Sequence, residues 1–357
     1  MQKQANSQTN PNTNTHQALG RDTISIHFVD AALAGVKRLG HDIETLLPRV
    51  GIEPELLRHP KARISPEQYI KFVQMLWLIT QDEHVGFGEQ PRRLGTFAMM
   101  CQLMVHCKTL GQALERSAEF YRLFGDEWVM TLERDKHDAR LVPLIPNDTQ
   151  PKHFITECLL MIWHGLASWL IDRRLPLERV KFEYDAPLYA DEYDALFFAP
   201  VVQFNATRTE ISFAADYLDL PIRQTEESLE EFLKVAPAQL LVKFKNSSSL
   251  TNRIREVLKN QIGEEMPTLN DVASLLYLSP QTLRRRLAAE GKSYQGVKDA
   301  LRRDAAIHLL LHPELSLEDV AQQVGFSETS TFHRAFKKWT GVTPGLYRQL
   351  HISPLDE

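Results

Sequence analysis

Two short sets of mostly polar side chains recur near the C-terminus at the same spacing. Gln281, Arg284, Arg285 and Ala288 stand at i, i+3, i+4 and i+7, and Ser330, His333, Arg334 and Lys337 repeat that pattern. Residues so spaced lie on one face of an α-helix. Their chemistry suits the edges of nucleic-acid bases: arginine can pair bidentately with guanine O6 and N7, and glutamine with adenine N6 and N7. Lys337, Lys338, Arg302, Arg303 and Arg348 add cations suited to phosphate, which position a protein on DNA without specifying sequence.

Each polar face needs an element to carry it. Leu283 and Leu287 in the first set, and Phe332 and Phe336 in the second, form an inward pair at i, i+4. Upstream, "LNDVASLLYLS" (269–279) aligns with "LEDVAQQVGFS" (317–327) at an offset of 48. Leu269, Val272, Ala273 and Leu276 match Leu317, Val320, Ala321 and Val324, one buried helical face in each copy. Thr268 and Ser316 precede these as N-caps, and Ser279 and Ser327 are read as caps of the helices that follow. Beyond the turn the offset becomes 49, so the second turn is one residue longer. The expectation is helix, tight turn, helix with a basic outer face, twice. Arg286 is expected nearer the inward side, and Phe326, Phe332, Phe336 and Trp339 are expected in the core.

The connecting stretch "SYQGVKDALRRDAAIHLLLHPE" has Val297, Leu301, Ala305 and Leu309 at i, i+4 steps and stops at Pro313. It predicts one helix about 25–30 Å long. Such a spacer could hold two recognition helices about one DNA turn, ~34 Å, apart in successive major grooves.

Charge supports this division of labour. The chain has a net charge of −5, but 15 Lys and Arg face 13 Asp and Glu from Lys245 onward, and 26 face 33 before it. Ser279–Arg303 carries seven basic residues and two acidic ones. Screening within about 10 Å makes the local balance matter more than the total.

Residues 268–348 closely resemble the DNA-binding domain of AraC/XylS-type transcription regulators. The second copy, "LEDVAQQVGFSETSTFHRAFKKWTGVTPGLYR", carries the likeness most fully, with Gly325-Phe326 at the turn and Gly341, Thr343-Pro344 and Tyr347-Arg348 closing it. The first copy departs at "LAAEG", one residue shorter than the usual ending. The resemblance implies base reading by Gln281, Arg284 and Arg285 in the first helix. In the second it implies Thr329, Ser330, His333 and Arg334.

The first 244 residues predict an α+β domain. Helices are expected over Ile24–Pro48, Pro66–Ile79, Leu110–Phe124 and Pro151–Arg173, a hairpin around Asp135–Asp138, and strands at "RVKFEYD", "VVQF" and "EISF". "RVGIEPELLRHPKARISP", "LGTFAMMCQLMVHCKTLGQALERSAEFYRLF" and "FAPVVQFNATRTEISFAADYLDLPI" resemble the N-terminal, arabinose-binding-type domain of the regulator branch that includes ornithine and arginine regulators. That resemblance implies a small-molecule effector, self-association as a homodimer, and RNA polymerase as a further partner of promoter DNA. Phe120, Tyr121, Phe124 and Trp128 could line an apolar effector pocket, although their spacing equally fits an ordinary core.

The expected organisation is a disordered tail (1–22), a sensing and dimerisation domain (23–244), a serine-rich linker (245–251) and an all-α DNA-binding domain (252–350). Three cysteines and no apolar run near ~20 residues predict a cytoplasmic protein without a membrane anchor. No HExxH, GxSxG, GxGxxG or phosphate-loop motif occurs. Cys101, His106 and Cys107 lack zinc-like pairing, so neither metal nor cofactor is expected. Two rivals stay open: a ligand-independent architectural protein, and an alkyl-transfer enzyme with an appended DNA-binding domain.

Overall fold

The computed structural model describes residues 23–350 except 124–127, 147–151, 188, 198, 235, 237, 242–249, 260, 265 and 290–291. The segment 1–22, and residues 245–249 of the serine-rich linker, lie outside the described residues. The chain forms two compact units. One comprises 27–50 and 67–246; the other gathers the described residues of 1–26, 51–66 and 247–357. Seven strands occur among the described residues: β1 Ile24–Ser25, β2 Arg63–Ile64, β3 Val129–Arg134, β4 Asp138–Leu144, β5 Arg179–Lys181, β6 Val202–Gln203 and β7 Glu210–Ala214.

The larger unit is α+β. Its five-stranded sheet has the order β3-β4-β7-β5-β6, antiparallel except for the β5–β6 pair. The expected hairpin is β3–β4, closed by the Asp135 amide donating to the Asp138 carbonyl at 2.8 Å. Helices Thr96–Val105, Leu110–Leu123 and Lys152–Leu170 contribute Met104, Leu114, Leu160 and Leu166 to one core with Val180, Ile211 and Phe213 of the sheet. The helices at 96–105 and 226–233 were not anticipated.

Ile24–Pro48 is not one helix. Ile24–Ser25 is extended, the helix runs over Ile26–Arg38, and the chain then turns through Gly40 at φ 81°. Asp42 starts the next helix by accepting the Glu44 amide at 3.0 Å. A left-handed glycine followed by an N-capping aspartate outweighs the continuing apolar period.

The second unit is built on helices Leu250–Lys259, Leu269–Leu275, Pro280–Ala289, Tyr294–Leu310, Leu317–Gln323, Thr329–Thr340 and Pro344–Gln349. Ile254, Leu258, Val272, Leu283, Leu301, Val320, Phe332, Phe336 and Tyr347 lie in its core. Two segments from the N-terminal part of the chain complete it: β1 pairs antiparallel with β2, Ile24 opposite Ile64 and Ser25 opposite Arg63. The Glu53 amide donates to the Leu350 carbonyl at 3.2 Å.

A buried polar network ties these segments to the helices. Asp304, on the 294–310 helix, accepts Thr23 Oγ1 at 2.7 Å, Arg255 Nη2 at 3.1 Å, and Arg303 Nε and Nη2 at 3.0 and 2.8 Å. Arg63 donates to Thr23 Oγ1 and to the Thr23 carbonyl, both at 2.7 Å, and the Tyr347 hydroxyl donates to the Arg63 carbonyl. Burial pushes the Asp304 carboxyl up, but the guanidiniums of Arg303, Arg255 and Arg63 outweigh it and hold it at about 2.

Candidate nucleic-acid interface

The two helix-turn-helix copies are built by matched local chemistry. In the first, the Asp271 amide donates to Thr268 Oγ1 at 3.3 Å and the Thr268 amide to Asp271 Oδ2 at 2.8 Å. In the second, Asp319 and Ser316 make the same exchange at 3.0 and 2.9 Å. Each reciprocal box satisfies two amides that the first helical turn leaves without partners. Both turns then reverse through a left-handed residue, Tyr277 at φ 56° and Gly325 at φ 81°. The next amide closes each turn: Leu278 donates to Ala273 and Phe326 to Ala321, both at 2.9 Å.

One position thus holds glycine in one copy and tyrosine in the other. Tyr277 is 95% exposed, so its ring gains little from packing. A non-glycine residue in this region costs roughly 1–2 kcal/mol, partly offset by glycine's greater freedom when unfolded. Tyr277→Gly is therefore expected to raise stability by about 0.5–1 kcal/mol, checked by urea unfolding.

The helices after the turns carry the residues expected to read bases. Ser279 caps the first, accepting the Thr282 amide at 3.1 Å. Ser327 does not repeat this: the second helix starts at Thr329 with Glu328 at the N-cap and no capping side chain. The extra residue in that turn displaces the serine from the cap.

Leu283, Leu287, Phe332 and Phe336 are all buried, whereas Gln281, Arg284, Arg285, Ser330 and Arg334 are exposed. Thr329 and His333 are half-buried, the His333 ring lying edge-on to Phe332. Arg286 is exposed rather than turned inward, and like Arg284 and Arg285 it makes no ion pair with a described residue. Phe326 and Trp339 pack on the core, 6.0 Å apart.

The cations expected at phosphate divide. Lys337 and Lys338 are exposed in the last turn of the second recognition helix, which Gly341 ends at φ 85°. Arg303 is instead committed to Asp304. Arg302 lays its guanidinium 5.2 Å from the Phe326 ring centre, and burial lowers its pKa. Arg348 is half-buried, with Nε and Nη2 enclosed. All three are half-buried, because a basic side chain on a packed helix can pair with a carboxylate or lie over a ring as well as face solvent. The helix joining the motifs, Tyr294–Leu310, has 17 residues, about 25 Å of rise.

In the other unit, the aromatics considered for an effector differ in burial. Tyr121 and Trp128 are buried and Phe120 half-buried; Phe124 lies outside the described residues. Arg92 sits 4.3 Å from the Tyr121 ring centre and His84 stacks on Trp128 at 4.1 Å. Burial first, then Arg92, lowers the His84 pKa to about 2, so this imidazole is neutral. Sequence reasoning passed over both residues, and also a carboxylate, Glu157, ringed by Tyr184, Tyr189 and Tyr193. The close tyrosine spacing in "EYDAPLYADEY" was the available signal. Among the described residues no group of His, Cys, Asp and Glu could hold a metal ion, and no helix is long and apolar enough to cross a membrane.

Residues 40–222, just over half of the chain, match the family described as the arabinose-binding domain of AraC transcription regulator, N-term, and residues 272–350 match a helix-turn-helix domain. The chain is 26% identical to the ornithine utilization regulator of Pseudomonas aeruginosa over 92% of its own length and 97% of that protein. It is 31% identical to the transcriptional activator NphR of a Rhodococcus species, over 40% of each chain. The crystal structure of the transcriptional regulator CdpR from Pseudomonas aeruginosa aligns with 90% of this chain and 97% of its own, at 20% identity and a TM-score of 0.28. With a matched sensor-type domain ahead of a doubled helix-turn-helix, the chain belongs to the AraC family of transcription regulators.

Proposed function

We propose that this regulator reads promoter DNA with Gln281, Arg284 and Arg285 in one major groove and Thr329, Ser330, His333 and Arg334 in the next. The observation that supports this most is the doubled helix whose apolar pair is buried while its polar face is solvent-exposed. Lys337 and Lys338 anchor phosphate in this reading. Arg303, paired with Asp304, and Arg302, laid over Phe326, also hold the reader's own structure.

The test is Arg334→Ala. Binding to the specific site should weaken by about 1–3 kcal/mol, while binding to random DNA is largely kept. Equal losses on both would remove the base-reading role. Arg285→Ala should act likewise at bases about one turn away. Fluorescence anisotropy on promoter fragments recovered from genomic DNA supplies both affinities.

The larger unit (27–50 and 67–246) is the proposed effector-sensing and dimerising part, and the helical unit the proposed reader, acting as a cytoplasmic activator through RNA polymerase. The alkyl-transfer alternative finds no support in the cysteines. Burial pushes the thiols of Cys101, Cys107 and Cys158 up, away from the thiolate that such chemistry needs.

A further inference from the structure

The carboxylate of Glu157 lies on the 152–170 helix with no exposed surface, inside the α+β unit. Three phenol groups converge on one of its oxygens. Tyr189 donates to Oε1 at 3.2 Å, Tyr184 at 3.4 Å, and Tyr193 also donates there; the Tyr184 and Tyr193 hydroxyls are 3.1 Å apart. The second oxygen, Oε2, is equally enclosed and has no hydrogen-bond partner among the described residues.

An enclosed acceptor with nothing to accept costs roughly 1–3 kcal/mol, more for a charged group. Burial accordingly pushes the Glu157 carboxyl up to about 7, against the opposing pull of the Tyr193, Tyr189 and Tyr184 hydroxyls.

The cluster is graded from inside to outside. Tyr193 and Tyr184 are buried, Tyr189 and His27 half-buried, and His153 exposed. His27 stacks on Tyr189 at 3.7 Å and His153 on Tyr184 at 3.8 Å, forming two aromatic walls. Burial lowers the pKa of both histidines, so they add no fixed positive charge near neutrality. Asp30 and Glu192 act on His27, and Asp185 on His153, so carboxylates surround this end of the cluster. The nearby cation Lys152 is engaged by Glu183 at 2.5 Å.

We propose that Glu157 and its tyrosines bind the primary ammonium group of a small-molecule effector. One ammonium proton would go to Oε2, and the others to the lone pairs of the Tyr189 and Tyr184 phenol oxygens. A guanidinium fits less well, because its fork needs both carboxylate oxygens and Oε1 already takes three donors. A quaternary ammonium has no proton for Oε2. The assignment rests on the effector-sensing role proposed for this unit and moves the site away from Phe120, Tyr121 and Trp128.

The probes are n-butylamine, n-butylguanidine and n-butyltrimethylammonium, titrated at millimolar concentration into the full-length protein and followed by ligand-observed NMR. Butylammonium should saturate and bind several-fold more tightly than the other two. Glu157→Gln should weaken it about 100-fold. Tyr189→Phe, a milder change at a half-buried residue, should weaken it several-fold and carries the test if the Gln variant does not fold. No saturable butylammonium binding, or equal binding by Glu157→Gln, overturns the assignment. Effector sensing itself is read separately, as a change in promoter affinity on adding cell-extract metabolites. Such a response, if kept by Glu157→Gln, sinks this site and leaves the sensing role standing.

Discussion

Replacing Asp304 by alanine is expected to destabilise the DNA-reading unit by about 3–5 kcal/mol, the range for breaking a buried ion pair from one side. The loss comes less from the missing attraction than from what stays behind. Arg255, Arg303 and Arg63 are themselves largely enclosed, with side chains or residues no more than 22% exposed. Without the carboxylate, their guanidiniums would be buried beside one another. Thr23 Oγ1 would lose its acceptor, and β1 and β2 would be less firmly held to the helices. In calorimetry the transition that includes this unit should move down by about 10 °C or more. A shift below about 2 °C would mean that the arginines find other partners. The native Asp304 pKa of about 2 lies below the ordinary aspartate value of 3.8. Its contribution is therefore complete above 3.8 and is lost as the pH falls through about 2. Asp304→Asn should flatten that acid-side dependence.

Phe336→Ala should cost about 3–5 kcal/mol, from lost burial and the cavity left behind. The Phe336 ring is fully buried, 5.7 Å from Phe332 and edge-on to Tyr347 at 5.3 Å. Leucine should be far milder, roughly 1–1.5 kcal/mol, because Leu287 fills the same place in the first copy. The pair also tests the role of the aromatics. If they serve packing, Phe336→Leu keeps specific DNA affinity; if the ring stacks on a base, affinity falls with little change in stability. Urea unfolding and anisotropy on the same samples separate the two.

The buried and exposed faces of the 280–289 and 329–340 helices were readable in the sequence because two copies supplied an internal comparison. Leu283 and Phe332 differ in type but agree in burial, and Arg285 and Arg334 agree in exposure. Periodicity is a local property, and it served well where the answer was local. It says less about Arg302 and Arg303, whose guanidiniums turn to the Phe326 ring and to the neighbouring Asp304. Arg63 could not be placed at all from spacing, since its partner Thr23 lies 40 residues away and Asp304 far beyond. The Glu157 cluster was missed for a similar reason. A single glutamate in an apolar helix looks ordinary until Tyr184, Tyr189 and Tyr193 are folded back over it.

The chain passes from one unit to the other at 26/27, 50/51, 66/67 and 246/247. Sensor exchange between homologous regulators by a single crossover in the serine-rich stretch would therefore carry off β1, β2 and the Arg63–Thr23 clasp with the wrong parent. A chimera that keeps residues 23–26 and 51–66 from the parent of its reader should fold and bind; one that ignores them should be compromised before any effector is added. The exchangeable pieces of this protein should follow its packing, and each is discontinuous in the sequence.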